Sequence, residues 1–213
     1  MSHASFIVKI CGITNEEDAR IAIQAGANAL GFNFYPKSPR CIGPERARQI
    51  AAAVPGDYLK VGVFVKPSVK RLLQVASEVP LDVVQLHGDS VGLPSSPTLR
   101  VWRALAATAA PPPAYPGIEA YLLDSPTPRH GGSGETFDWS LAARFPHRAI
   151  IAGGLDASNV AEAIRVASPW GVDSCSRIES APGKKDAQRV RDFISAAFAA
   201  GHQEVTRREE VTL

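Results

Sequence analysis

The stretch "FIVKICGITNEEDARIAIQAGANALGFNFY", residues 6–35, decides the fold because it combines a strand, a helix and a second strand. It begins with the β-branched apolar run "FIVKI" and ends with a second apolar run, "ALGFNFY". Between them, "DARIAIQAG" has the apolar spacing of an amphipathic helix. Thr14 and Glu17 have the capping-box spacing, which predicts the start of that helix. The stretch therefore indicates an α/β protein.

The same alternation continues along the chain. Six further strand-like runs follow, in the order "YLKVGVFV", "DVVQLHG", "LRVWRAL", "EAYLLDS", "RAIIAGG" and "WGVDSCS". Helical patterns include "ERARQIAAAV", "PSVKRLLQVASEV", "DASNVAEAIRVA" and "KDAQRVRDFISAAFAA". Eight strand candidates separated mainly by helices in 213 residues predict a single closed parallel (β/α)8 TIM barrel. An open doubly wound sheet is the structural alternative.

Two segments depart from this repeat. The Pro-rich stretch "ATAAPPPAYPG", residues 107–117, lies where a fifth helix is expected, and its prolines exclude a regular one. We therefore predict an irregular loop in place of that helix. The tail "GHQEVTRREEVTL", residues 201–213, has no strong apolar face and is expected to fray. The expected organisation is one catalytic barrel domain of residues 1–200 and a frayed tail of residues 201–213.

Composition and charge narrow the class of protein. The formal charge of +2 is close to neutral and no basic stripe is present, which argues against nucleic acid as a partner. No apolar run approaches membrane-spanning length and no secretory signal is recognisable, so no membrane partner is expected. The three cysteines, Cys11, Cys41 and Cys175, are scattered and lack a paired metal spacing. They predict neither a disulfide framework nor a zinc site, and they favour a cytoplasmic location.

Two reactive side chains are placed at the predicted ends of strands. Cys11 ends the first strand and Asp124 ends the sixth. A single cysteine is often a small buried hydrophobe, and an aspartate after a strand is often a turn former or helix cap. Their joint placement favours a functional interpretation, because strands 1 and 6 of a closed barrel face one another across its mouth. One proton donor and one acceptor would then lie on opposite sides of a bound ligand.

The loops after strands 7 and 8 indicate a phosphate site. Gly153 and Gly154 follow strand 7, and the run from Asp173 to Ser176 follows strand 8. A glycine pair by itself is commonly only a tight turn. In barrels, however, these two loops often form a phosphate cradle with a short helix N-terminus. Together they predict a phosphorylated substrate.

A family resemblance rests on a set of motifs in a fixed order. The motifs are "KICGIT", "GFNFYPKSPR", "VGVF", "QLHG", "LLDS", "GGSGETFDW", "AGGLDASNV" and "GVD" followed by "PGKKD". With these motifs the chain resembles phosphoribosylanthranilate isomerase of tryptophan biosynthesis. The likeness runs from about Val8 to Phe198 and therefore covers nearly the whole chain.

The resemblance implies an Amadori rearrangement of an N-phosphoribosyl aminobenzoate by general acid–base catalysis, with no metal and no organic cofactor. The expected partner is this small phosphosugar substrate, and both a monomer and a homodimer remain open. By position, Cys11 matches the family's base, Asp124 its acid and Arg40 the residue that holds the anthranilate carboxylate. The phosphate would lie on backbone N–H groups near Gly153, Gly154, Cys175 and Ser176.

These roles set physical requirements. A guanidinium such as that of Arg40 can bind a planar carboxylate with two hydrogen bonds. An ordinary cysteine titrates near ~8.5 and an ordinary aspartate near ~3.9, so a basic Cys11 and an acidic Asp124 both need shifted pKa values. Burial raises the pKa of a carboxyl group, and a local positive field lowers that of a thiol.

Three positions depart from the family pattern. A Ser-Ser-Gly-Val-Glu run is typical after strand 8, and this chain has "CSRIE", residues 175–179. Arg177 therefore replaces a glycine, which adds either a cation or bulk to the cradle. Cys41 replaces an aromatic residue after Arg40, and Ser174 replaces an apolar residue.

The sequence leaves three alternative functions. The histidine-pathway isomerase uses a pair of aspartates, which disagrees with Cys11. A ribulose-phosphate epimerase would need a metal site of His and Asp residues, and His87 is the only histidine here in a matching position. A non-catalytic phosphosugar-binding barrel is the alternative from a different class, and Arg177 is the feature that favours it.

Overall fold

The computed structural model describes residues 6–88, 99–108, 112–113, 115–126 and 134–211, with residues 202–211 as backbone only. Eight parallel strands form a closed barrel in chain order. They are β1 Ile7–Cys11, β2 Ala29–Asn33, β3 Leu59–Val65, β4 Val83–His87, β5 Arg100–Ala106, β6 Ala120–Asp124, β7 Ala149–Ile151 and β8 Gly171–Ser174. The ring closes where β1 pairs with β8, from Ile7 opposite Gly171 to Ile10 opposite Ser174. The predicted TIM barrel is confirmed, and the open sheet is excluded.

Helices connect the strands on the outside of the barrel. They are α1 Glu16–Gln24, α2 Pro44–Ala53, α3 Val69–Glu78, α4 Ser140–Ala143, α5 Val160–Ala167 and α6 Ala187–Val211. A 3-10 turn, Ser176–Ile178, follows β8 and leads into a small antiparallel hairpin of β9 Glu179–Ala181 and β10 Lys184–Lys185. This extra hairpin lies between the last strand and α6, next to the barrel mouth.

The start of α1 differs from the capping box predicted at Thr14 and Glu17. The N-cap is Asn15, whose side-chain oxygen accepts a hydrogen bond from the backbone N–H of Asp18 at 2.9 Å. Asn15 Nδ2 in turn donates to Asp18 Oδ2 at 2.8 Å, so two hydrogen bonds join Asn15 and Asp18 at the start of the helix. The Thr14 hydroxyl instead donates to the backbone oxygen of Gly183 in the β9–β10 turn. A long-range contact therefore takes the side chain that local spacing assigned to the cap.

Two apolar cores lie on either side of the strands. The larger one packs the outward faces of the strands against the helices, and Val8 and Ile10 of β1 belong to it. The smaller one fills the lower interior of the barrel, where Ile7 meets the fully buried Trp102. Because side chains alternate along a strand, Lys9 and Cys11 also face inward, one and two layers above Ile7. The barrel interior therefore changes from apolar to polar toward the carboxyl ends of the strands.

The two predicted departures from the repeat concern residues 107–117 and residues 201–213. Within residues 107–119, the described positions contain no helix, while residues 109–111 and 114 lie outside the description. The Pro-rich loop in place of a fifth helix thus stays a prediction. Helix α6 continues to Val211, and the division into a barrel of residues 1–200 and a frayed tail of 201–213 also stays a prediction. None of the helices in the described ranges is both long and apolar enough to span a membrane.

Candidate active site

The predicted site residues all come to the same end of the barrel. Cys11 is the last residue of β1 and Asp124 the last of β6. Arg40 lies in the loop after β2, and the predicted phosphate-binding residues lie just beyond β7 and β8. One cleft is lined by Asp124, Gly153, Gly154, Cys175 and Ser176. Cys11 adjoins this cleft, because Cys175 Sγ in the lining packs against Gly12, the residue after Cys11, where a Cβ would lie 2.9 Å from that sulfur. The parallel sheet explains this gathering, because the carboxyl ends of all its strands share one rim.

A buried ion pair lies directly beneath the mouth. Lys9 Nζ is 2.8 Å from Asp173 Oδ1, and the Lys9 side chain is fully buried. Burial lowers the pKa of Lys9, but its attraction to Asp173 and Cys11 outweighs burial, and the net pKa is raised. Burial raises the pKa of Asp173 to about 7 in spite of the Lys9 charge. Lys9 therefore stays a cation in contact with the Cys11 thiol.

The two thiols at the mouth have opposite proton affinities. The hydrogen bond from Cys175 and the charge of Lys9 hold the pKa of Cys11 well below its usual range, although burial opposes them. The same hydrogen bond, together with burial, raises the pKa of Cys175 well above its usual range. Cys11 is thus the thiol of the pair that ionises first, while Cys175 Sγ lies 4.0 Å from Glu179 Oε1. This arrangement meets the requirement for a basic cysteine.

Asp124 has the opposite shift. Burial raises the pKa of its carboxyl group, and the charge of Cys11 adds to the increase. The backbone N–H of Ser125 donates to Asp124 Oδ1 at 2.8 Å and opposes the shift. A Cβ built on Gly153 would lie 2.7 Å from the same Oδ1. The glycine thus allows the β7 loop to approach the carboxyl group, which no larger residue would permit.

Arg40 is held by a carboxylate of the protein. Its Nε and Nη2 donate to the two carboxylate oxygens of Glu179 at 2.8 and 2.7 Å. Lys185 Nζ, whose side chain is fully buried, donates to Glu179 Oε1 at 3.0 Å and lies 3.7 Å from Cys175 Sγ. The aliphatic part of Arg40 packs over Gly12, where a Cβ would lie 2.7 Å from Arg40 Cδ. Arg40 therefore reaches the rim beside Cys11 in a fixed orientation.

The loops after β7 and β8 are tied together by two side chains. The Ser174 hydroxyl donates to the backbone oxygen of Leu155 at 2.6 Å, in a buried position. Arg177 donates through Nε to Asp156 Oδ2 at 2.8 Å, and its Nη2 lies 2.6 Å from the same oxygen. Both Ser174 and Arg177 thus have structural partners across the predicted phosphate cradle. Arg177 bonds to a neighbouring carboxylate and is already paired.

Comparison with known proteins identifies the family of this chain. A family model described as N-(5'-phosphoribosyl)anthranilate isomerase matches residues 8–196. The chain belongs to that family. A relative from Solibacter usitatus that carries this name is 54% identical over 199 residues, covering 91% of this chain and 98% of its own. As a member, the chain is an enzyme, an isomerase acting on N-(5'-phosphoribosyl)anthranilate in tryptophan biosynthesis.

Solved structures agree with this assignment. Phosphoribosylanthranilate isomerase from Thermotoga maritima has a TM-score of 0.77 and 40% identity, over 92% of this chain and 100% of its own. Another isomerase structure holds reduced 1-(o-carboxyphenylamino)-1-deoxyribulose 5-phosphate. It has a TM-score of 0.75 and 37% identity, with the same coverage of both chains. The motif-based family prediction is confirmed, and the histidine-pathway, epimerase and non-catalytic alternatives are set aside.

Sequence analysis missed three charged residues at this site. Lys9, Glu179 and Lys185 lie in the runs "KICGIT", "CSRIE" and "PGKKD", but the motifs predicted no role for any of them. A signal for Lys9 was present, because it lies two residues before Cys11 and must share the inward face of β1. A lysine on that face requires a carboxylate partner. Glu179 and Lys185 offered no such signal, since the β9–β10 hairpin that positions them is not readable from strand spacing.

Two further predictions concern metals and Cys41. Across the ranges that the structure describes, no group of three or more His, Cys, Asp or Glu side chains could hold a metal ion. The prediction of a reaction without metal or cofactor stays a prediction. Cys41 is exposed and follows Arg40 outside the cleft, with its sulfur 4.0 Å from the backbone oxygen of Ile42. It therefore lies apart from the thiol pair of Cys11 and Cys175.

Proposed function

We propose that Cys11 is the general base and Asp124 the general acid of the isomerisation. The observation that supports this assignment is the opposite shift of two groups at one barrel mouth. The pKa of the Cys11 thiol is lowered, chiefly by Cys175 and Lys9, while burial raises that of the Asp124 carboxyl group. Pairs of titratable groups whose environments shift their pKa values in opposite directions are typical of acid–base catalysis.

The reaction needs one proton delivered and one removed. Protonated Asp124 donates its proton to the furanose ring oxygen, and the C1–O bond breaks to give an open-chain iminium ion. The Cys11 thiolate then removes the proton from C2 of the sugar, which gives an enolamine that tautomerises to the ketose. Both steps are proton transfers, and the raised pKa of Asp124 and the lowered pKa of Cys11 favour the protonation state that each step needs.

Lys9 and Cys175 stabilise the ionised form of Cys11, the proposed base. A thiolate beside the buried Lys9 cation and the Cys175 thiol is stabilised in a site where burial alone would favour the neutral thiol. Asp173 keeps Lys9 in place through the 2.8 Å ion pair. These contacts make Cys11 a base at neutral pH, at the cost of some intrinsic basicity.

The substrate's two anionic ends are bound on either side of the reacting carbons. We assign the phosphate to the backbone N–H groups of the cradle formed by Gly153, Gly154, Cys175 and Ser176. We assign the anthranilate carboxylate to Arg40. Glu179 uses Nε and one Nη2 hydrogen of Arg40, which leaves the Nη1 edge of the guanidinium for the ligand. The protein carboxylate thus orients the cation and does not replace the substrate.

Two further points concern the location of the enzyme in the cell and its oligomeric state. The three cysteines are free, which suits a cytoplasmic enzyme. Both a monomer and a homodimer remain open.

An Asp124→Asn variant tests the assignment of the acid. Because an amide delivers no proton to the ring oxygen, we expect kcat to fall by about 10²–10⁴ with little change in KM. The assay follows the loss of fluorescence of freshly made phosphoribosylanthranilate. Asp82→Asn is the matched control, since Asp82 precedes β4 at the opposite end of the barrel and should leave kcat unchanged. Near-normal turnover of Asp124→Asn would refute the assignment.

A further inference from the structure

We propose that Cys11 and Cys175 form a redox-active dithiol, in which oxidation by a hydroperoxide closes a disulfide across the barrel mouth and reversibly stops turnover. Closure of the disulfide is independent of the proposed catalytic roles. Only the loss of turnover depends on Cys11 as the base.

The first support is the register of the strands. In the ladder between β1 and β8, Lys9 pairs with Asp173 and Ile10 with Ser174, so Cys11 and Cys175 occupy the next position. Neighbouring strands lie about 4.8 Å apart. Disulfides join Cα atoms separated by about 4.4–6.8 Å. The backbone therefore brings these two residues into the range of a disulfide without a rearrangement of the barrel.

The Cys175 side chain also reaches the end of β1, and the two thiols shift each other's pKa in opposite directions. Cys175 Sγ packs against Gly12, the residue immediately after Cys11, and a Cβ on Gly12 would lie 2.9 Å from that sulfur. Gly12 has a φ of +74°, which also favours glycine. Because Gly12 has no side chain, Cys175 Sγ can occupy the space directly beside the end of β1.

The surroundings favour attack by Cys11 first. The pKa of Cys11 is lowered, in part by the Lys9 charge, whereas that of Cys175 is raised. Lys185 Nζ lies 3.7 Å from Cys175 Sγ and favours the thiolate of Cys175 in the second step. Nearby cations favour the thiolate, which is the form that attacks peroxides and disulfides. Both thiols are half-buried at the mouth, whereas Cys41 is exposed and lies apart from them. A small oxidant can thus reach the pair by the route that the substrate uses.

The chemistry balances with a hydroperoxide as the two-electron oxidant. The Cys11 thiolate attacks one peroxide oxygen, an S–O bond forms, and the O–O bond breaks to release hydroxide or an alkoxide. Protonation gives a sulfenic acid on Cys11. The sulfur of Cys175 then attacks Cys11, the S–S bond forms, and the S–O oxygen leaves with the Cys175 proton as water. A thiol reductant restores both thiols by exchange.

The proposed disulfide requires a cysteine at position 175. The run typical of the family has serine at this position, and a serine hydroxyl cannot resolve a sulfenic acid to a disulfide. In this chain Cys175 also protects Cys11, because disulfide formation is reversible whereas oxidation to the sulfinic acid is not. The pair would therefore turn an irreversible oxidation of the base into a reversible one.

The test treats the purified, reduced enzyme with a small excess of hydrogen peroxide and follows kcat, intact mass and a peptide map. We expect at least about a tenfold loss of turnover. The same samples should show a mass decrease of two hydrogens, a peptide that links Cys11 to Cys175, and full recovery with dithiothreitol. A product analogue bound at the barrel mouth should slow this oxidation. Addition of oxygen without a linked peptide would overturn the proposal.

Two variants separate the possible causes of inactivation. Cys175→Ser, compared with its own untreated activity, should gain oxygen on residue 11 and recover poorly with dithiothreitol. Cys41→Ser should lose and regain activity as the unsubstituted enzyme does. If the linked peptide forms while turnover persists, the dithiol stands, but the switch and the role of Cys11 as base are both refuted. If Cys175→Ser fails to fold, the peptide map of the unsubstituted enzyme decides the matter alone.

Discussion

Replacement of Lys9 by methionine tests how the thiol at the barrel mouth becomes a base. The substitution keeps an unbranched side chain of similar length in the fully buried position and removes the cation that contacts Cys11. We expect the pKa of Cys11 to rise toward that of an ordinary cysteine, because the hydrogen bond from Cys175 then acts largely alone against burial. Catalysis at neutral pH should fall for lack of thiolate.

The size of the effect follows from the thiolate fraction. A thiol with an ordinary pKa near 8.5 is only about 3% ionised at pH 7, so a change from mostly thiolate costs up to about 30-fold in rate. A general base loses activity as the pH falls through its pKa, and this fixes the direction of the pH effect. A raised pKa moves this acid limb to higher pH. The loss in kcat/KM should thus be largest at low pH and shrink as the pH approaches 8.5.

The assay combines kinetics with chemical labelling. The rate of alkylation of Cys11 by iodoacetamide is measured against pH, with mass spectrometry separating it from the other cysteines. Loss of one partner of a buried pair costs about 3–5 kcal/mol of stability, less where Asp173 can take up a proton. Lys9→Met combined with Asp173→Asn removes both charges and serves where the single variant is unstable. An unchanged labelling profile in a folded variant would refute the role of Lys9.

Two further substitutions test the binding of the substrate's anionic ends. Arg40→Ala should raise KM, because a charge-assisted hydrogen bond contributes about 1.5–3 kcal/mol, while inhibition by inorganic phosphate stays as before. Arg46→Ala, at an exposed ion pair, is the matched control, and an unchanged KM in Arg40→Ala would contradict the clamp. Arg177→Gly removes the ion pair with Asp156 and should weaken phosphate inhibition only slightly, through looser loops. A large loss of phosphate affinity would show instead that the Arg177 cation binds the phosphate directly.

The repeating fold was predictable because it is set by local patterns. Each strand run has a continuous apolar character and each helix an amphipathic one, and both follow from burial of the same segments. The details that sequence reasoning missed depend on distant contacts. Thr14 donates to Gly183, so the cap of α1 falls to Asn15. Such a contact joins residues far apart in the chain, and no local spacing reports it.

The same distinction applies to the site. Positions at the ends of strands could be predicted, because every parallel strand points its carboxyl end to the same rim. The partners of these residues could not, since the contact of Cys11 with Cys175 exists only because β8 closes against β1. The pairing of Arg40 with Glu179 likewise depends on the β9–β10 hairpin. The sequence therefore predicted where the reactive groups lie, whereas their protonation states depend on partners that only the closed barrel brings near.

The most direct test of the account is a Cys11→Ala variant in which kcat and melting temperature are measured on one preparation. If Cys11 is the base, kcat should fall by about 10²–10⁴ with little change in KM, because the thiol handles a proton and contributes little to ground-state binding. Cys41→Ala, at an exposed cysteine outside the cleft, should leave kcat unchanged. A structural cysteine predicts the reverse, a lower melting temperature with turnover almost intact. Near-normal kcat in Cys11→Ala would contradict the mechanism.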